Sequence, residues 1–333
     1  MPGTIQRIPF ESRALRGNRI GDPHQRDLYL YLPSGYADDT AQRYPAVLLL
    51  ASHGNTAQSL LAWRGWGESI DQQLDRLIAS GACPPCIVIL PDTWTRFGGT
   101  LHLNSGLLGN YGDYVIDEII PHVTAHYRVR PNALGIMGRS SGGYAALYHA
   151  MTRPDLFRGA VCHSADAYFE YSALPEVAKL DRLLAKFGGL EGLIAESGKV
   201  GPKDQAFFDA VTILTLASTF APNPDSPYGF DLPIDPDTGA LNESVWARCL
   251  AYDPVRMLQD PANLGALRAL KLLFIDCGAF DEYNLQVGAR LMHRALESGA
   301  VPHVYEEFPG GHRGTHFRYD VSLPLLVGAL LAD

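Results

Sequence analysis

The chain has 333 residues, of which 47% are hydrophobic and 19% charged. That is enough apolar content for a sizeable core, and it excludes disorder for the bulk of the chain. Lys and Arg number 27 against 36 Asp and Glu, for a net charge of -9; with no basic run, this argues against nucleic-acid binding, which needs concentrated cations.

The start, MPGTIQRIPF, has no basic segment followed by an apolar one, so no signal peptide is expected. No apolar run reaches ~18 residues, so no membrane span is expected either. In DLYLYLP, Leu28, Leu30 and Leu32 fall on one face. That alternation predicts a half-buried, antiparallel edge strand. Short continuous apolar runs follow at 46–52, 86–92, 133–138, 159–164, 270–276 and 303–308. Helical patterns lie between them, at roughly 66–80, 111–127, 141–152, 282–299 and 316–331, with Pro121 predicted to kink or break the second. Continuous apolar strands alternating with helices predict an α/β domain with a mostly parallel central sheet and helices on both faces.

One gap breaks this rhythm. About a hundred residues, 165–265, separate the strands ending near 164 and starting near 270. A structureless loop of that length is improbable in a compact domain. Its apolar helical pieces, LDRLLAKF and AFFDAVTILTLASTF, predict a helical cap inserted in a single domain spanning 1–333.

The five cysteines are Cys83, Cys86, Cys162, Cys249 and Cys277. Three sit in or beside apolar runs, which reads as reduced core thiols in a cytoplasmic protein. Cys83-Pro84-Pro85-Cys86 leads into a strand. Extended prolines at ~3.1 Å per residue would hold the two Cα atoms roughly 9 Å apart, beyond the ~7 Å reach of a disulfide, unless a turn brings them together.

The most informative stretch is GIMGRSSGGYAALYHA. An apolar strand runs to Gly138, then Gly138-Arg139-Ser140-Ser141-Gly142 leads into a helix of small residues. This is G-x-S-x-G in a strand–turn–helix context, in which a sharp turn lifts the Ser hydroxyl above the sheet. The helix N-terminus supplies N–H groups and positive dipole where an oxyanion would form. Ser141 would need glycine at 139, so the phase selects Ser140 as nucleophile.

A serine hydroxyl needs a base, and in this arrangement the chain order is Ser, acid, His. After the last predicted strand the sequence reads EEFPGGHRGTH. His312, in a loop after two glycines, is the candidate base, with His316 the rival. LLFIDCGAFDEY offers Asp276, Asp281 and Glu282. Asp281, in the turn beyond Gly278, is the candidate acid. The oxyanion donors would be the N–H groups of Ser141 and of Asn55, with Gly54 and Thr56 as rivals for the second. His53 is read as a buried scaffold residue. Trp94, His102, Asn104 and Tyr144 follow strand ends or the nucleophile and are candidates to line a substrate pocket.

With these residues in place, the chain resembles the putative esterase family of α/β-hydrolases, which includes esterase D, the feruloyl esterases, the enterochelin esterases and the mycolyltransferases. The matching stretches are RDLYLYLPSGY, YPAVLLLASHG, IVILPDTW, YGDYVIDEIIPHVTAHYRV, GRSSGGYAAL, LLFIDCGAFDEY and GGHRGTH. The resemblance implies an α/β-hydrolase fold and hydrolysis of small-molecule carboxylic esters through Ser140, Asp281 and His312. Acyl transfer or thioester hydrolysis on the same residues, and a non-catalytic binding protein on the same fold, are the alternatives. The insertion is longer than in compact formylglutathione hydrolase-like members. Arg139 stands where His often precedes the nucleophile, leaving a cation that would either salt-bridge or favour acidic substrates. No H-E-x-x-H, Walker or dinucleotide fingerprint is present, so no metal and no organic cofactor is expected. The sequence sets no oligomeric state.

Overall fold

The computed structural model describes residues 2–38 and 40–332. Its centre is an eight-stranded sheet. The strands are β1 (Thr4–Glu11), β2 (Gln25–Leu32), β3 (Tyr44–Leu50), β4 (Ile87–Pro91), β7 (Val129–Arg139), β8 (Gly159–His163), β9 (Leu272–Gly278) and β10 (Val304–Phe308). Between β4 and β7 a two-residue hairpin, β5 (Asn104–Ser105) and β6 (Gly109–Asn110), stands apart. The sheet order is β1-β2-β4-β3-β7-β8-β9-β10. β2 is antiparallel to both neighbours, and the strands from β4 to β10 are parallel. This is the mostly parallel α/β sheet that the alternation of strands and helices predicts, and the α/β-hydrolase fold that the resemblance implies.

The period of two along each strand sorts its side chains onto two faces. Leu28, Leu30, Leu48, Leu50 and Ile89 join the core on one face; Tyr29, Tyr31, Val47, Leu49 and Leu90 join the core on the other. β2 is therefore buried on both faces, not half-buried. It is not the edge either: β1 covers it in antiparallel register from Thr4↔Leu32 to Glu11↔Gln25. β1 reads TIQRIPFE and is exposed or half-exposed throughout, so no run of apolar residues marks it.

Helices Ile70–Ala79 and Tyr319–Leu331 cover the second face; Ser141–Thr152 and Leu285–Ser298 cover the first, with the insertion. The predicted irregularity near Pro121 is a π-helical segment, Tyr114–Ile119, directly before the helix Ile120–His126 that contains the proline. There the Ile120 N–H reaches back five residues to the Val115 carbonyl.

The insertion between β8 and β9 is mostly helical, and the longest of its helices is Gln205–Phe220. Its apolar residues, among them Phe169, Val177, Leu214 and Phe220, share one continuous core with the sheet. Its last helix, Pro261–Arg268, packs on Ser141–Thr152. That end of the segment buttresses the body of the domain. All five cysteines are buried and unjoined. The thiols of Cys83 and Cys86 nevertheless hydrogen-bond each other, a contact that together with burial pushes the Cys86 thiol up.

A buried polar chain ties β8, β9 and the C-terminal helix together. His163 Nδ1 donates to Asp276 Oδ1 at 2.7 Å, and Arg318 Nε donates to Asp276 Oδ2 at 2.6 Å. Arg318 also pairs with Glu306. Ser322 Oγ lies 2.8 Å from His163 Nε2, which accepts its proton in the neutral ring. Asp276 and Ser322 are fully buried. Removing one partner of such a cluster strands the others without solvent. Asp276→Asn is therefore expected to cost about 3–5 kcal/mol, read as a lower urea midpoint at unchanged slope.

Candidate active site

The nucleophile turn is built by close backbone contact. Ser140 has φ 57° and ψ -125°, a conformation that costs a non-glycine residue about 1–3 kcal/mol. Its N–H donates to the His163 carbonyl at 2.9 Å, so β8 holds the turn that follows β7. A Cβ on Gly142 would lie 2.4 Å from the Leu50 carbonyl oxygen, and one on Gly138 would lie 2.4 Å from the Gly142 carbonyl carbon. Both glycines are thus required by the approach of the turn to its own helix and to β3.

Ser140 Oγ stands 3.1 Å from His312 Nε2, and His312 Nδ1 stands 2.8 Å from Asp281 Oδ2. Asp281 is 4% exposed and His312 7%. With Nδ1 donating to the carboxylate, Nε2 carries the lone pair that faces the serine hydroxyl. The other two acids of the β9 turn have separate tasks. Glu282 Oε2 accepts the backbone N–H of His312 at 2.6 Å, which holds its carboxyl below the usual range. Asp276 belongs to the buried chain under the site. His316 pairs with Arg64, its Nδ1 3.2 Å away; burial first, then Arg64 and Arg139, push its pKa down to about 4.

Ser322, His163 and Asp276 repeat the same order of atoms. Burial separates the two sets: Ser322 Oγ sits inside the core, while Ser140 opens on a cavity.

Arg139 has no carboxylate partner among the described residues. Its guanidinium donates to the His312 carbonyl at 2.6 Å and reaches Ser52 Oγ and Thr315 Oγ1, each at 3.4 Å. It bridges the His312 loop to the loop after β3. Ser141 Oγ is engaged, accepting the His53 N–H at 2.8 Å. The Ser141 N–H opens the helix and has no acceptor within it.

The second expected oxyanion donor is engaged. The Asn55 N–H donates to the Ser52 carbonyl at 2.9 Å. The rivals are engaged as well, Gly54 with the Gly98 carbonyl at 2.7 Å and Thr56 with Ser59 Oγ at 2.9 Å. A tight loop satisfies its own donors. His53, read as buried scaffold, is half-buried and lines the cavity, its ring 5.4 Å from that of Phe208 and its pKa lowered to about 4 by desolvation.

The cavity over Ser140 has a volume of about 400 Å³, within the usual range for small-molecule sites. The insertion supplies most of its apolar wall: Phe169, Val177, Phe208, Ile213, Leu216 and Phe220. Of the four pocket candidates from sequence, only Tyr144 lines it, its hydroxyl donating to the Tyr252 carbonyl at 3.1 Å. Trp94 lies away from it, its carbonyl accepting from Arg26. His102 is buried scaffold, its Nε2 2.7 Å from the Ala51 carbonyl and its own carbonyl bound by His149. Asn104 pairs with Asp113 on the surface. Sequence reasoning missed Tyr283, whose ring meets His312 edge-on at 4.9 Å, and Asp166. Asp166 follows β8 as Asp281 follows β9, and that parallel was the available signal.

Gly142→Ala is expected to force Leu50 and the turn apart at about 1–3 kcal/mol. Thermal unfolding should show a lower Tm, and activity should fall with the displacement of Ser140.

The family model described as "Putative esterase" matches residues 21–322. No curated protein matches the chain in sequence. Among solved structures, a ferulic acid esterase superposes with a TM-score of 0.60 at 20% identity, covering 98% of this chain and 99% of its own. A Staphylococcus aureus fluorophosphonate-binding serine hydrolase, FphF, gives 0.61 at 16% identity with both chains covered in full. An S-formylglutathione hydrolase from Agrobacterium tumefaciens gives 0.61 at 15%, covering 99% and 96%. At these identities the superpositions speak for the shared fold, and the family match extends over most of the chain. The chain belongs to the Putative esterase family, the α/β-hydrolase family its motifs resemble, and is a serine carboxylic-ester hydrolase.

Proposed function

We propose that the protein cleaves small-molecule carboxylic esters through an acyl-enzyme on Ser140. His312 removes the hydroxyl proton as Oγ attacks the ester carbonyl, and Asp281 fixes the ring and stabilises the imidazolium that results. His312 then gives that proton to the leaving alcohol. Water, deprotonated by the same ring, releases the acid and restores Ser140. The observation that carries this reading is the pair of contacts at 3.1 and 2.8 Å that joins Ser140, His312 and Asp281 at the wall of an apolar cavity.

The oxyanion forms against the Ser141 N–H. Asn55 contributes its N–H as the oxyanion develops, when its peptide exchanges the Ser52 carbonyl for the stronger acceptor. The helices of the insertion act as a cap that shapes the bound ester. A reducing compartment, the cytoplasm, suits five unjoined thiols.

A fluorophosphonate, the reagent class named for FphF, tests the nucleophile. Mass spectrometry should find one adduct on Ser140 in the wild type and none in Ser140→Ala. Hydrolysis of a p-nitrophenyl ester should fall ~10⁶-fold in kcat in that variant, and Asp281→Asn should cost ~10⁴-fold. Unchanged turnover in Ser140→Ala would remove the assignment.

A further inference from the structure

One charged group in the cavity wall has no structural task. Asp166 lies three residues past the end of β8 and lines the cavity with Ser140 and His312. Its neighbours Ala165 and Ala167 are buried, and Ala167 packs so closely on the helix Leu285–Ser298 that a Cβ on Gly288 would lie 2.7 Å from its carbonyl oxygen. The segment is thus fixed, and Asp166 is the residue it turns into the cavity. The N–H groups that follow, Tyr168 and Phe169, are satisfied by Asp253 at 3.0 and 2.9 Å. The local capping role is therefore already filled.

The other charged groups of the wall are engaged or exposed. Arg139 is spent on the His312 carbonyl, Glu176 pairs with Lys179, and Asp209 accepts from Gln205. Arg313 is exposed. Asp166 accepts no hydrogen bond and forms no ion pair among the described residues. Burial raises its pKa to about 6, with Asp281 pushing the same way and His312 opposing. Asp166 is half-buried and its carboxylate faces the open cavity; an apolar ligand that displaces its solvent leaves it unsatisfied at a cost, which is offset when the ligand brings a donor.

We propose that Asp166 is a specificity-determining residue: it selects esters whose cavity-bound half is apolar and carries a hydroxyl group that donates to its carboxylate. A hydroxyl fits better than an ammonium because the rest of the bound half lies against an apolar wall, where a neutral donor loses less on leaving water than a charged one. This inference rests on the esterase reading above.

The test compares paired esters. On the acyl side, methyl hexanoate, octanoate and decanoate are set against their ω-hydroxy forms. On the alcohol side, hexyl acetate is set against the monoacetate of hexane-1,6-diol. Wild type should favour the hydroxylated member of at least one pair by about tenfold or more in kcat/KM. Asp166→Leu should abolish that ratio, and Asp166→Asn, which keeps an acceptor oxygen, should restore part of it. Circular dichroism checks that both variants fold. A ratio unchanged in Asp166→Leu, or both members of a pair slowed alike, overturns the proposal. So does a wild type that hydrolyses the plain esters without preference, which leaves the hydrolase reading intact. A wild type inert on every pair and on p-nitrophenyl acetate overturns both.

Discussion

His312 is held from four directions, and the chemistry of the site depends on that restraint. Asp281 takes its ring N–H, Glu282 its backbone N–H, Arg139 its carbonyl, and Tyr283 meets its ring edge-on. Three of the four come from residues 281–283, the turn that β9 delivers. Gly278 lets that turn approach the His312 loop: a Cβ there would stand 2.4 Å from the Gly310 carbonyl oxygen. The paired glycines at 310 and 311 and the single one at 278 are two sides of one close contact. A ring so fixed retains its tautomer and its distance to Ser140 without reorganising at each turnover.

Two Ser-His-Asp sets in one domain show that order of atoms does not make a nucleophile. The set ending in Ser322 is closed by Arg318 and surrounded by core. No substrate carbonyl can reach its hydroxyl, and its Asp is shared with a guanidinium. Its effect on the cavity is indirect. The same His163 that it fixes offers its carbonyl to the Ser140 N–H, and the Asp276 carbonyl takes the Ser164 N–H. The buried set thus braces the carboxyl ends of β8 and β9, from which Asp166 and Asp281 project.

What the sequence made legible follows the range of the forces involved. The nucleophile turn is local: strand, glycines and helix lie within about sixteen residues, and the clash that demands glycine at 142 is written in the motif. Asp281 and His312 were legible as candidates because each follows a strand in chain order after Ser140, in a loop marked by glycine. β1 was not, because an edge strand exposed along most of its length carries no alternation to read. Trp94, His102 and Asn104 sit at the right point in the chain and at the wrong point in space. The cavity is walled instead by Phe169, Val177 and the Gln205–Phe220 helix. Which face of that helix meets the site depends on how the insertion packs, and an apolar helix buried on most sides shows no periodic face to predict it.

The engaged donors of the loop after β3 bear on when the oxyanion is stabilised. The bond from the Asn55 N–H to Ser52 is a neutral backbone contact, worth about 0.5–1.5 kcal/mol net. A donor to a developing oxyanion is worth about 2.7–4 kcal/mol. Against a neutral ester carbonyl the exchange gains nothing, so the loop keeps its resting bond in the ground state. Against the tetrahedral oxyanion the exchange is favourable by the difference, roughly 1–3.5 kcal/mol. An interaction gained only as charge develops lowers the barrier without tightening substrate binding, and that differential is what raises kcat. A loop that satisfies its own N–H groups at rest is therefore compatible with an efficient hydrolase, provided that Gly54, at φ 79°, lets the Asn55 peptide turn when the charge appears.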